Sequence, residues 1–564
     1  MRNTAIFILL RRMRAPLLVL IVVYAIAVIG LVLIPGETID GRPHYMSFFH
    51  ALYVISYTVT TIGYGEVPHP FTDAQRMWIV ISIYLGVIGW LYAIGTLIGL
   101  LQDPAIRQIL RASRFAGSVS RITEPFYIVC GYGDTGSLLV RVMTEQNHSA
   151  VVLDRNPERI NELLLETLPV YVPGMEADAS LPNELLRAGL EHPLCAGVVA
   201  LTGDDNTNLK IAITAKLLRT RLRVICRAQT HDTQVNLESF GTDAVINHFD
   251  AFADRLAMAI HSPHMFLLNA WLTTAPGQPL VHRVHPPRGT WVLCGYGRFG
   301  KAVQKYLSYE GIETVIIEAN PDLTEAPKDC VVGRGTEAVT LRQANIEKAV
   351  GIVAGTDNDA NNLSIIITAR ELNSNLFLVA RQNQRENDPI FAAAGIDLVM
   401  LHSRVIANRI LSLIRTPLLT DFLRNARHQS NEWAEALIDR LWPIIGNVAP
   451  DLWAVNIGPD TAPAVFRAIE SGRGITLHHL LSDQRNRKDK LRALPMLIKR
   501  AGKDLLLPEE KTKLMTGDEI LFCGRDEDER EMVAVLHSES ALAYVETGKT
   551  VSEAWIWRRF AMRS

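Results

Sequence analysis

The chain changes its hydrophobic rhythm three times. Ala15 to Ile34 and Met77 to Leu101 are two long runs without a charged residue. As helices each would span roughly 30 Å or more, enough to cross a bilayer core. Between them Ser47 to Tyr57 is apolar and aromatic and predicts a short helix. From about position 126 the pattern becomes short apolar runs alternating with helical periodicity, which predicts a parallel sheet with crossover helices. From about 435 to 540 it changes again: Asp451 to Ile457 and Leu505 to Gly524 read as short strands of a small α+β unit.

The short helix runs directly into Thr60-Thr61-Ile62-Gly63-Tyr64-Gly65-Glu66. Two glycines in such a run allow dihedrals that side chains resist, so successive carbonyls can face one axis and replace the water shell of a potassium ion. A surface Gly-Tyr-Gly turn is the plainer alternative, and the flanking apolar runs argue against it. Residues 15 to 101 resemble the two-transmembrane potassium channels. That resemblance implies a tetrameric pore, with Thr61, Ile62, Gly63, Tyr64 and Gly65 as the filter and K+ held at Thr61 to Tyr64. Glu66 and Ile62 depart mildly from the commoner Asp and Val. No arginine-rich helix precedes the pore, so intrinsic voltage gating is not expected. Gly86, Gly89, Gly95 and Gly99 along the second run suit close packing or a bend. Basic residues flank the pair of spans (Arg11, Arg12, Arg14; Arg107, Arg111, Arg114, Arg121), while only Arg42 and Arg76 lie between them. The positive-inside rule therefore predicts cytoplasmic termini, the resemblance implies a prokaryotic plasma membrane, and no cleavable signal is expected.

The rest of the chain repeats itself. Phe126 to Gly136 aligns with Trp291 to Gly300, each an apolar strand leading into G-x-G-x-x-G and a helical pattern. Asp154 and Glu318 each fall 23 positions after their first glycine, at the end of the next strand. This is a dinucleotide fingerprint stated twice, with backbone amides for the phosphates and an acid for the ribose hydroxyls. Asn208 pairs with Asn362, Asp205 with Asp359 and Arg227 with Arg381. The copies are similar to the N-terminal lobe of RCK domains, the regulators of potassium conductance of the Trk/KTN type. A family Gly-Asp-Ala-Thr element reads Ala177-Asp178-Ala179-Ser180 in the first copy and Gly333-Arg334-Gly335-Thr336 in the second. Arg334 suits added phosphate charge or a solvated surface equally. Proline-broken helical stretches follow each copy, Phe249 to Leu272 (Pro263) and Ser403 to Leu423 (Pro417), and in the family these clasp a neighbouring domain.

The resulting domain reading is 1–105 pore module, 106–124 linker, 125–276 first RCK domain, 277–289 linker, 290–430 second RCK N-terminal lobe, 431–540 C-terminal lobe and 541–564 tail. The fold class is a two-helix membrane module plus two Rossmann-like lobes and a small α+β lobe. The function expected is a ligand-gated potassium channel, a homotetramer in a lipid bilayer whose RCK ring responds to NAD, NADH or an adenine nucleotide. The nucleotide residues are Gly131, Gly133, Gly136, Asp154 and Asp178, then Gly295, Gly297, Gly300 and Glu318. The resemblance adds calcium or another divalent cation as a regulator, without residues to hold it; the acidic run Asp526 to Glu531 collects cations or forms a solvated face. A net charge of −2 among 564 residues gives no basic field for nucleic acid. Six cysteines without metal-ligand spacing read as reduced thiols. The rival readings are a nucleotide sensor or an NAD-dependent oxidoreductase with a silent pore module, and no hydride-transfer residues stand beside either glycine loop.

Overall fold

The computed structural model describes residues 2–39, 42–67, 69–280 and 283–548. Trp555, Trp557, Arg558 and Arg559 of the tail, and the side chains of Arg12 and Arg107, lie outside the described residues. The chain divides into two units between Arg121 and Ile122.

The first unit holds four helices: α1 (Arg2–Leu33), α2 (Phe48–Val59), α3 (Asp73–Gln102) and α4 (Pro104–Val119), with a two-stranded ribbon of β1 (Thr38–Ile39) and β2 (Arg42–Pro43) between α1 and α2. The parts of α1 and α3 apolar enough to cross a membrane are Met13–Leu33 and Asp73–Leu100. Thr72 opens α3 with a reciprocal cap, its hydroxyl accepting from Gln75 N while the Gln75 side chain accepts from Thr72 N. The helices cross closely at Gly30, where a Cβ would stand 2.1 Å from the Trp78 ring; the Trp78 indole donates to the Ala27 carbonyl at 2.9 Å. Of the four α3 glycines, Gly86 packs on Val59, where a Cβ would come within 2.5 Å, whereas Gly95 and Gly99 face open space. The segment expected as a linker forms α4; Asp103, held extended before Pro104, separates it from α3.

The second unit contains two six-stranded parallel sheets. The first comprises β3 (Phe126–Cys130), β4 (Ser149–Asp154), β5 (Gly174–Glu176), β6 (Cys195–Ala200), β7 (Arg223–Ala228) and β8 (Ala244–Asn247). The second comprises β9 (Trp291–Cys294), β10 (Thr314–Glu318), β11 (Val331–Val332), β12 (Gly351–Ala354), β13 (Phe377–Gln382) and β14 (Leu398–Leu401). Their orders, β5-β4-β3-β6-β7-β8 and β11-β10-β9-β12-β13-β14, are the same doubly wound arrangement, with the switch point at β3/β6 and β9/β12. A smaller antiparallel sheet follows, β15 (Asp451–Asn456), β16 (Leu494–Arg500), β17 (Lys503–Leu506) and β18 (Glu519–Gly524), ordered β15-β18-β16-β17. The core of this lobe runs on through Leu542 and Val545 of the helix Glu539–Thr547, beyond position 540 where the sequence reading ended it.

Each Rossmann-like lobe is followed by two helices meeting at a proline: His248–His261 and Pro263–Thr273, then His402–Arg415 and Pro417–Ala426. Ser262 and Thr416, the joints, have nearly identical dihedrals (φ −141°, ψ 82° and φ −144°, ψ 85°). The first helix of each pair is exchanged, while Pro263–Thr273 and Pro417–Ala426 pack together against Leu437, Leu441 and Leu497 of the terminal lobe. Phe249, Phe252, Leu256 and Ile260 fill the core of the second lobe against Trp291, Phe299 and Leu307. Ile406, Ile410, Leu411 and Ile414 fill that of the first against Leu139, Val140 and Met143. The neighbouring lobe that each first helix clasps lies in the same chain. Residues 277–280 pair with 447–449 through Gly277 N to Ala449 O (3.1 Å) and Leu280 N to Asn447 O (3.2 Å).

Candidate functional site: a pore loop and two glycine loops

Ser47 caps α2, and the helix ends where Thr60 N bonds back to Ser56 O. The next residues alternate in backbone hand: Thr61 (φ 63°), Gly63 (φ 62°) and Gly65 (φ 74°) lie at positive φ. Thr61 carries a Cβ in that region, which costs of order 1 kcal/mol or more and is held only where the surroundings impose it. Tyr57 imposes much of it. Its carbonyl accepts from Ile62 N (2.9 Å) and Gly63 N (3.1 Å), and its hydroxyl donates to the Glu66 carbonyl (2.9 Å). Tyr53 donates to the Glu66 carboxylate at 2.9 Å. The sequence reading missed Tyr53 and Tyr57 as anchors; their spacing along α2 was the available signal. Ile62 and Tyr64 are 59% and 68% exposed in the single chain, so their apolar surface is left without cover.

The two glycine loops share one construction. Gly131 (φ 105°) and Gly295 (φ 95°) turn the chain out of β3 and β9 at positive φ. A Cβ on Gly136 would stand 2.0 Å from the Gly131 carbonyl oxygen, and one on Gly300 2.1 Å from that of Gly295. Only glycine allows the helix to approach its own strand so closely. Gly133 and Gly297 are the residues before the helices Asp134–Glu145 and Arg298–Tyr309, and a Cβ on either would meet no protein atom within 4 Å. Neither helix has a side-chain cap, whereas those opened by Asn156, Asp204 and Asn247 do. Uncapped N–H groups beside open space fit a phosphate group.

The acids sit where the fingerprint places them along the chain, and each is already engaged. Asp154 accepts from Tyr132 N (2.5 Å) and Asn156 N (2.7 Å); Glu318 accepts from Tyr296 N (2.6 Å) and Asn320 N (2.9 Å). Each carboxylate thus braces its own glycine loop and retains lone pairs for a ribose. Asp178 follows β5 at the same sheet edge, exposed, with Ser180 N donating to it at 2.9 Å. The Ser180 hydrogen bonds hold its carboxyl below the ordinary range, with Arg155 and Lys210 adding to the effect. In the second lobe exposed Arg334 takes that place, and Gly335 (φ 75°) lies against Cys294.

The aligned pairs have matching roles. Asn208 Nδ2 bonds the Thr202 and Arg227 carbonyls (both 3.1 Å), and Asn362 Nδ2 those of Thr356 and Arg381 (3.0 and 2.7 Å), stitching β6 to β7 and β12 to β13. Where the first loop has Asp134 the second has Arg298, which crosses to the first lobe and donates to Gln229 at 2.6 Å. That unlike pair was visible in the alignment, but its destination was not. The acidic run forms the first turns of the helix Asp526–His537; Arg530 pairs with Asp526, and Arg485 with Glu531 at 2.5 Å. Among the described residues no group of three or more His, Cys, Asp or Glu side chains could hold a metal ion.

The comparisons agree with this division. Residues 17–103 match the ion channel family model, and residues 127–248 and 291–402 match that of the TrkA-N domain. Potassium channel protein 1 of Methanocaldococcus jannaschii is 26% identical over 224 residues, 39% of this chain and 64% of that protein. Probable potassium channel protein 2 of the same organism is 30% identical over 151 residues, 26% of this chain and 44% of its own length. An uncharacterized protein of Methanothermus fervidus is 26% identical over 227 residues, 40% of this chain and 34% of that protein. The chain thus spans between about a third and just under two thirds of these relatives' length. Among solved structures, the GsuK channel bound to NAD aligns over 94% of this chain and 99% of its own, at 17% identity and a TM-score of 0.48. The chain belongs among the proteins that join an ion-channel module to TrkA-N, or RCK, domains, here two in tandem.

Proposed function

We propose that this chain is a potassium channel, four copies of which surround one pore, and that nucleotide binding to its tandem RCK unit on the cytoplasmic side gates conduction. The observation that carries the reading is the alternation of positive φ at Thr61, Gly63 and Gly65 directly after a half-helix. Alternating hand turns successive peptide planes the same way, which a row of ion-facing carbonyls needs. Thr61 to Gly65 is the filter, with K+ held at Thr61 to Tyr64. The bare surface of Ile62 and Tyr64 supports an assembly in which other copies cover it. Non-helical backbone at membrane depth is tolerated only where protein or a water-filled path surrounds it.

The regulatory ligand is NAD, NADH or an adenine nucleotide. In the first lobe it is held by Gly131, Gly133, Gly136, Asp154 and Asp178, and in the second by Gly295, Gly297, Gly300 and Glu318. An acid at each ribose position disfavours a 2′-phosphate. A nucleotide shifts the pore only through its differential affinity for two states of the unit.

Potassium flux from liposomes holding the purified chain, with and without NAD, NADH, ATP and calcium, tests this reading. Barium-sensitive flux altered by one ligand, and lost in Gly63→Ala with nucleotide binding retained, is the expected result. Nucleotide binding without flux under any condition would overturn the channel reading.

A further inference from the structure

A cleft of about 680 Å³ opens between the two proline-joined helix pairs. Residues of His248–His261 and Pro263–Thr273 line it from one pair, and residues of His402–Arg415 and Pro417–Ala426 from the other, with Lys305 and Tyr306 of the helix Arg298–Tyr309. No glycine-loop residue lines it.

Its charge is lopsided. Arg255, Lys305, Arg409, Arg424 and Arg427 face two carboxylates, Asp250 and Asp254. Asp254 is taken by Arg427. Arg424 reaches Asp421 at 3.2 Å, but Asp421 also holds Lys499 at 2.7 Å. Arg255 and Arg409, both half-buried, have neither an ion pair nor a guanidinium hydrogen bond among the described residues. The Arg255 guanidinium lies over the Phe266 ring, 5.5 Å from its centroid. Burial disfavours the charged form of both arginines; at Arg409 the repulsion of Arg427 and Arg424 adds to it and Asp254 opposes it. On the same lining, the Thr420 hydroxyl is buried with no hydrogen-bond partner.

A guanidinium does not escape burial by losing its proton, so unpaired, partly desolvated arginines and an orphan hydroxyl together demand an anion. A single small charge would leave most of the excess uncompensated. We propose that this cleft binds a small phosphate-class polyanion that bridges Arg255 and Arg409, accepts from the Thr420 hydroxyl and is met at the rim by Arg424 and Lys305. The guanidinium fork matches two phosphate oxygens at once. Because the lining comes from both helix pairs, whose first helices each pack in the other lobe, the ligand favours whichever arrangement of the two lobes brings those pairs to its length, coupling occupancy to lobe geometry. The proposal rests on neither the pore nor the glycine loops.

The test is calorimetric titration of the full chain in detergent with inorganic pyrophosphate at constant ionic strength, with citrate in parallel. Wild type is compared with Arg409→Gln, Arg424→Gln, Thr420→Val and the glycine-loop variant Gly133→Asp/Gly297→Asp, in which a carboxylate placed where a Cβ meets no protein atom repels phosphate from the uncapped helix ends. Arg255 is left in place because its stacking on Phe266 contributes to packing. Wild type binds pyrophosphate, Arg409→Gln binds it about tenfold or more weakly, Thr420→Val is intermediate, and the glycine-loop variant binds as wild type. Absence of binding to wild type, equal binding by all the cleft variants, or loss confined to the glycine-loop variant would each overturn the proposal. Tighter binding of citrate than of pyrophosphate would overturn the phosphate assignment.

Discussion

His248 and His402 stand at matching positions, each the first residue after the last strand of its lobe, and their rings are 5.8 Å apart. Burial pushes both imidazoles below their usual range, more strongly at His248. Arg227, Arg381 and Arg298 push His248 the same way; at His402 Arg227 and Arg381 oppose Asp134 and Asp359. His248 Nδ1 is buried without a partner. Because the folded-state pKa lies below the unfolded value of about 6.5, the unfolded chain takes up protons that the folded one refuses. The two histidines therefore cost nothing above that pH and erode stability as pH falls below it. The melting temperature of the second unit is expected to drop between pH 7 and 5.5, and less steeply in His402→Gln. An unchanged slope would clear His402 and leave the drop to His248, or to His148 and His479, whose imidazoles are also depressed, chiefly by burial. The thiols give a second expectation. Cys226 and Cys294 are buried, and burial raises each to about 12, while Cys330 is half-buried. A thiol reagent at neutral pH should label Cys330 in the native protein and the other five only after unfolding.

At the scale of elements, the strand–glycine loop–helix unit is legible because its constraints are local. Gly136 and Gly300 are needed where a helix meets the carbonyl of its own loop, and Gly131 and Gly295 where φ turns positive. Gly136→Ala must move either helix or loop, and nucleotide affinity at the first lobe is expected to fall at least tenfold or so with little loss at the second. Pro263 and Pro417 are equally local: neither can continue a helix, and each begins the next one instead. Asp518 is of another kind. The turn Thr516-Gly517-Asp518 is readable, but not that its carboxylate is fully buried and held by Arg500 Nε and Nη2, both at 2.7 Å, from β16. Arg500→Ala leaves that buried carboxylate with the Met515 N–H (2.8 Å) but no counter-charge, and should destabilise the terminal lobe by about 2–3 kcal/mol, measurable by denaturant unfolding. Asp518→Asn should cost less.

Over the whole molecule, the exchange of the helices His248–His261 and His402–Arg415 makes the two Rossmann-like lobes depend on each other. Leu256 belongs to the first copy in sequence and to the second lobe in packing. Leu256→Ala should cost about 3 kcal/mol and raise hydrogen exchange in β9 and β12 before β3 and β6. The reverse order would mean that the exchanged packing is not the native one. The amino-acid sequence by itself determined the two membrane-length segments, the Gly-Tyr-Gly loop, the duplicated fingerprint and the short strands of the last lobe. All of these follow from apolar period, glycine dihedrals and charge within some tens of residues. Tertiary structure alone decided which lobe each half of the proline-broken helix pairs covers. It also decided that Tyr57 ties the pore loop at both ends, that Arg298 crosses to Gln229, and that Arg255, Arg409 and Thr420 share one cleft. Those contacts join residues far apart in the chain or turn on side-chain direction, and no local pattern encodes either.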